Sequence, residues 1–223
     1  MRRTWAVLGT LLVGGWALSV SHPVWAFPAF ARTTKAACES CHTNPAGGSE
    51  LNAAGKAFQA DQSKVPAAAA KAADYVSPNK CKTCHSKQYK AWQTTEHGHA
   101  LKSLETAGEK EIADRAAALK VELKGHASQS DDCLLCHTTG FHLSGGYPAA
   151  DSTKNVALGN VTCESCHGPG GKHVAAPMAD KKKTINKNVT EAMCKQCHTP
   201  EMSPKFNFEE YKKKGVHQVA KAE

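Results

Sequence analysis

One pentapeptide occurs five times in this chain: Cys38-Glu39-Ser40-Cys41-His42, Cys81-Lys82-Thr83-Cys84-His85, Cys133-Leu134-Leu135-Cys136-His137, Cys163-Glu164-Ser165-Cys166-His167 and Cys194-Lys195-Gln196-Cys197-His198. All ten cysteines lie in these motifs. C-x-x-C-H is the attachment signature of c-type haem. Both thiols add to the porphyrin vinyl groups, and the adjacent histidine supplies the proximal iron ligand. Five motifs therefore predict five covalently bound haem c groups. Cys38, Cys41, Cys81, Cys84, Cys133, Cys136, Cys163, Cys166, Cys194 and Cys197 would form the thioethers, and His42, His85, His137, His167 and His198 would be the proximal ligands.

Other uses of paired cysteines fail on counting. A structural zinc site takes two C-x-x-C pairs, or one pair and a distant histidine pair. Five pairs leave a remainder, and zinc gives no reason for a histidine directly after every second cysteine. A disulfide framework leaves those histidines equally unexplained. A thioredoxin-like motif occurs once, in a βαβ setting.

The N-terminus reads as an export leader over 1–26. Arg2 and Arg3 form its basic start, Trp5 to Val20 its apolar stretch, and Val24-Trp25-Ala26 a small-residue cleavage site before Phe27. The apolar run is short for a membrane span of about 20 residues. No later segment is apolar enough to cross a bilayer, so a periplasmic or otherwise exported location without a transmembrane span is expected. The net charge of +8 is no nucleic-acid footprint. Arg2 and Arg3 leave with the leader, and the haem propionates outweigh the remaining excess. Aromatics make up only 6% of the chain. At about 40 residues per haem the side chains alone make a thin core, so the porphyrins must supply buried apolar surface.

Successive first cysteines stand 43, 52, 30 and 31 residues apart, too uneven for a solenoid. The Ala-rich stretch after Val65 divides the chain. The expected layout is an N-terminal monohaem segment over 27–65, a linker or short helix over 66–76, and a tetrahaem domain over 77–223. Hydrophobic periodicity predicts helices over Leu51 to Gln62, Gln88 to Thr95, Leu101 to Thr106, Glu109 to Leu123 and Lys205 to Lys214. Gly and Pro mark 140–148 and 168–177 as loops. The fold class is mainly α: short helices and long loops wrapped around a multihaem core, with little or no sheet.

Outside the motifs the mature chain holds His97, His99, His126, His142, His173 and His217. Five irons need at most five second ligands, so bis-histidine coordination is possible throughout. Met178, Met193 and Met202 are the thioether alternatives, and a Met ligand would raise the potential. An open sixth position would admit a small ligand such as nitric oxide. The run Lys181-Lys182-Lys183 reads as a solvated loop.

Four stretches carry a family resemblance: CKTCHSKQYKAWQTTEHGHA at 81–100, CLLCHTTGF at 133–141, VTCESCHGPGGKHV at 161–174 and CKQCHTPEMSPKFNFEEYKKKGVH at 194–217. Together they resemble the cytochrome c-554 family, tetrahaem electron carriers. The resemblance implies a mostly helical fold with porphyrins in close pairs. It matches His97 and His173 to the family's distal positions, and His126 and His217 complete the distal set. The segment ending in GGSELNAAGKAF adds one haem to that pattern. The function this implies is electron transfer between redox partners by haem-to-haem hopping. The partners would be a redox protein donor and acceptor, such as a membrane-bound quinol-oxidising complex or other cytochromes. The alternatives are a nitric oxide or hydroxylamine reductase at one five-coordinate haem, or a subunit of a conductive filament.

Overall fold

The computed structural model describes residues 30, 34, 36, 38–44, 47–66, 74–143, 145–214 and 217. The expected leader over 1–26 and most of the Ala-rich stretch, 67–73, lie outside these residues. The described chain is a series of short helices. They are α1 (Ala53–Ala60), α2 (Pro78–Lys82), α3 (Ser86–Trp92), α4 (Ala100–Thr106), α5 (Glu109–Leu119), α6 (Asp131–His137), α7 (Ser152–Leu158), α8 (Cys163–His167), α9 (Gly171–Ala175), α10 (Glu191–Cys194) and α11 (Phe208–Lys214). Among the described residues β pairing is confined to one bridge, His42 with Leu51. The mainly α expectation holds.

Local chemistry sets the helix starts. Asn52 Oδ1 accepts from the Gly55 N–H at 2.9 Å and begins α1. Ser77 caps α2 with Pro78 in its first turn, where a missing N–H costs nothing. Asp151 caps α7 through the Lys154 N–H. Lys120 turns left-handed at φ 56° and stops α5, four residues short of the expected Leu123. The α11 helix starts at Phe208, beyond the expected Lys205. Helix α9 lies inside the stretch expected to be loop, because Gly171 and its neighbours close a single turn after the glycine pair.

The motifs themselves are helical turns. The His42, His85 and His198 N–H groups bond to the Cys38, Cys81 and Cys194 carbonyls at 2.8, 2.9 and 2.9 Å. This i to i+4 closure puts both cysteines and the histidine on one face of a turn. The first motif sits on a 3-10 turn, Cys38–Ser40, and the third and fourth lie within α6 and α8.

Protein-only packing is sparse. One cluster gathers Leu104, Ala127, Leu134 and Phe141, with Leu101 and Ile112 against it, where α4 meets α6. A second is Tyr75 with Leu158. Two polar stitches tie the segments together. Glu164, 3% exposed, accepts from the N–H groups of Val76, Ser77 and Gly170 at 2.9, 3.2 and 2.7 Å. Thr139 is fully buried. Its hydroxyl donates to the Asn160 carbonyl at 2.6 Å and accepts from the Thr162 N–H at 2.9 Å. These stitches bind the start of α2 and the end of α6 to the fourth motif.

The N-terminal segment folds on its own turn. Gly55 of α1 lies against the Cys41 backbone so closely that a Cβ there would collide with the Cys41 carbonyl. Phe58 meets Phe30 edge to face, with ring centroids 5.4 Å apart. The segment touches the last motif: the Asn44 amide approaches Met193 Sδ at 3.7 Å, and Gly48 packs on Met193 and Thr190.

Candidate haem-binding sites

None of the ten cysteines is paired in a disulfide. Thiols of different motifs nevertheless lie side by side. Cys81 shares a hydrogen bond with Cys163, which pushes the Cys81 pKa far up and pulls that of Cys163 down. Cys197 faces Cys136, and that contact together with burial pushes its thiol up. Burial pushes Cys166 up to about 12, with Cys194 close by. The four motifs from Cys81 to His198 thus converge on one region, although they are spread over more than a hundred residues of sequence. Among the described residues no three His, Cys, Asp or Glu side chains form a metal-holding group.

The histidines are arranged in facing pairs. His85 faces His173 with ring centroids 6.3 Å apart and planes 27° apart. His167 faces His217 at 6.0 Å and 18°. His97 and His198 stand 6.0 Å apart at 59°. Each pair joins a motif histidine to one from another segment. Two metal–imidazole bonds of about 2.0 Å, each extended by a ring radius of about 1.1 Å, span about 6 Å. Direct ring stacking would bring the planes far closer. The three separations match the space that one iron between two imidazoles requires, so the residues fit the group the motifs call for.

His137, His167 and His173 are also held in the tautomer that coordination requires. Nδ1 of His137 bonds the Ala100 carbonyl at 2.7 Å, and Nδ1 of His167 bonds the Asn186 carbonyl at 2.7 Å. Nδ1 of His173 bonds the Lys181 carbonyl at 2.8 Å, and His198 Nδ1 lies 2.9 Å from the Ser203 hydroxyl. A carbonyl on Nδ1 fixes the proton there and leaves Nε2 as the donor to a metal. Burial pushes the pKa of His42, His137 and His198 down, which favours the neutral, ligating imidazole. Buried His42 Nδ1 has no hydrogen-bond partner.

The other histidines stand apart. His126 is exposed and caps the turn Ala127–Gln129, its Nδ1 accepting from the Ser128 N–H at 3.3 Å. His142 packs on Phe141 and reaches Asp131 at 3.2 Å. His99 sits at the start of α4. None of these three pairs includes His137 or His42. Buried Met193 takes the amides of Asn44 and Asn186 on its sulfur, each at 3.7 Å, while Met178 is 76% exposed. Sequence reasoning missed what surrounds the ligands: Ala100, Asn186, Ser203 and the Lys181 carbonyl have no motif of their own.

No described helix is long and apolar enough to cross a membrane. The family profile described as Cytochrome c554 and c-prime matches residues 80–168. Cytochrome c-554 of Nitrosomonas europaea is 32% identical over 169 residues, covering 61% of this chain and 70% of that protein. The multihaem cytochrome MtrA of Shewanella baltica is 31% identical over 87 residues, covering 35% of this chain but only 26% of MtrA. The solved structure of reduced cytochrome c554 from Nitrosomonas europaea superposes with a TM-score of 0.52 at 28% identity, over 66% of this chain and 86% of that one. The helical fold, the repeated motifs and the facing imidazoles all agree with these likenesses: the chain belongs to the cytochrome c-554 family of multihaem c-type cytochromes, with covalently bound haem c as its cofactor.

Proposed function

We propose that the protein is an exported pentahaem cytochrome that passes electrons between redox partners. The three imidazole pairs 6.0–6.3 Å apart carry this reading. In it, the ten motif cysteines hold five haems and His42, His85, His137, His167 and His198 are proximal ligands. His173, His217 and His97 lie opposite His85, His167 and His198. Bound haem c supplies a one-electron iron couple. At three sites a histidine pair would hold the iron from both sides, which would limit reorganisation, and the adjacent thiols would bring neighbouring sites together. Residues 27–65 add one haem module to a tetrahaem domain over 77–223, joined through 66–76. The leader over 1–26 supports export, and a protein donor and acceptor are the partners such a carrier needs.

His137 supports a second reading. Its Nδ1 is anchored on the Ala100 carbonyl, which leaves Nε2 as the nitrogen that would meet a metal, and it belongs to none of the three facing pairs. A site of this kind binds a small ligand such as nitric oxide and can reduce it. A pyridine haemochrome assay with intact mass tests the count, with five haems expected per mature chain. Titrating the reduced protein with carbon monoxide tests the ligands. Uptake of one or two equivalents is expected, at His137 and at most also at His42. More than two equivalents contradicts the sandwiches, and none removes the second reading.

A further inference from the structure

We propose that Lys181 is a positioning residue for His173, setting the orientation and electron-donating strength of that imidazole; this rests on the reading that His85 and His173 flank one iron. His173 is carried by α9, a single turn too short to hold its own end rigid. Lys181 grips it at two places. Its carbonyl takes the ring proton on His173 Nδ1 at 2.8 Å. Its Nζ donates to the His173 and Val174 carbonyls at 2.8 and 2.9 Å, near the C-terminal end of α9, where a cation is favourable. One residue therefore holds both the ring and the backbone of the same histidine.

The lysine is itself anchored. The Lys181 N–H bonds the Pro177 carbonyl at 3.1 Å. The Lys181 carbonyl also accepts from the Thr184 hydroxyl at 2.8 Å and the Thr184 N–H at 3.1 Å. Its neighbours in the triplet serve other ends: Lys183 pairs with Asp180 at 2.8 Å, and Lys182 is exposed. The lysine run is thus not uniformly a solvated loop. A carbonyl shared among three donors is a weaker acceptor for any one of them. The His173 ring is therefore less electron-rich than His167, whose Nδ1 rests on the Asn186 carbonyl. A poorer donor stabilises ferric iron less, so the His85/His173 site has the higher potential of the two.

The test compares Lys181→Met, Lys181→Arg and Lys182→Met in the full haem-loaded chain. The readouts are low-temperature ferric EPR and spectroelectrochemical titration. Lys181→Met shifts the g-values of one low-spin signal and lowers one midpoint potential. Lys181→Arg, which can still reach both carbonyls, stays close to the parent. Lys182→Met loses the same charge yet leaves the g-values unchanged. A Lys181→Met spectrum that superposes on the parent, or a Lys182→Met spectrum that reproduces it, overturns the proposal. Thr184→Val serves as a second probe should Lys181→Met fail to mature. Freeing the carbonyl of one donor strengthens the His173 bond and lowers the same potential, and an unchanged potential counts against the role. His173→Gly reads the underlying assignment separately. If no low-spin signal then becomes high-spin, the His85/His173 pair falls, whatever Lys181 does.

Discussion

Glu164→Ala lowers the unfolding temperature of the haem-loaded protein by about 10 °C and reduces its yield. The carboxylate accepts from three backbone N–H groups belonging to Val76, Ser77 and Gly170. Alanine strands those donors in a site only 3% exposed. A buried unsatisfied donor costs about 1–3 kcal/mol, so three partly rehydrated donors cost roughly 3 kcal/mol or more. In a domain of this size about 1 kcal/mol moves the midpoint by about 2–4 °C. Glu164→Gln keeps an acceptor oxygen and loses less. The pH dependence separates the two effects. Burial pushes the Glu164 pKa up, against the three N–H donors and the charge of Lys154. The folded chain therefore holds this proton to higher pH than the unfolded chain, whose carboxylate titrates near about 4.3. The resulting stability is complete below that value and declines as pH rises through the folded pKa. Glu164→Gln removes that decline, and thermal melts across this window measure it.

His97→Met raises the potential of one haem by on the order of 0.1 V, out of the roughly 0.8 V that axial ligands can span. His97 faces His198 at 6.0 Å, and its backbone is tied down by the Val161 N–H on its carbonyl at 3.1 Å. The Trp92 indole N–H bonds the Val161 carbonyl at 2.8 Å, so the segment stays in place when the side chain changes. A thioether donates less charge than imidazole and favours ferrous iron. Spectroelectrochemistry should show one component moving up while the others stay. If all components stay, His97 is not a ligand.

Motif chemistry was legible before any coordinates. Cys and His at i, i+3 and i+4 can share one helical face, and the structure closes those turns. The helical class followed from short apolar periods without alternation. Helix ends were less legible because local chemistry decides them: Lys120 stops α5 by going left-handed, and Asp151 starts α7 without a periodic stripe behind it. The histidines outside the motifs were readable as a surplus, but not as partners of particular motif histidines. His85 and His173 are 88 positions apart, and only the fold brings them together. His126 stands shortly before a motif, and its ring lies next to Ser128 at the start of a turn. The groups that hold the motif histidine rings were illegible because a backbone carbonyl such as that of Ala100 or Asn186 has no sequence signature.

On the proposed reading, a motif histidine and a histidine from a distant segment together hold an iron at each of three sites. Quantitative ferric EPR of the purified holoprotein tests it most directly. At least three low-spin irons per chain are expected, and one of them is lost in each of His97→Gly, His173→Gly and His217→Gly. Fewer than three low-spin irons, or variants that leave the count unchanged, would contradict it.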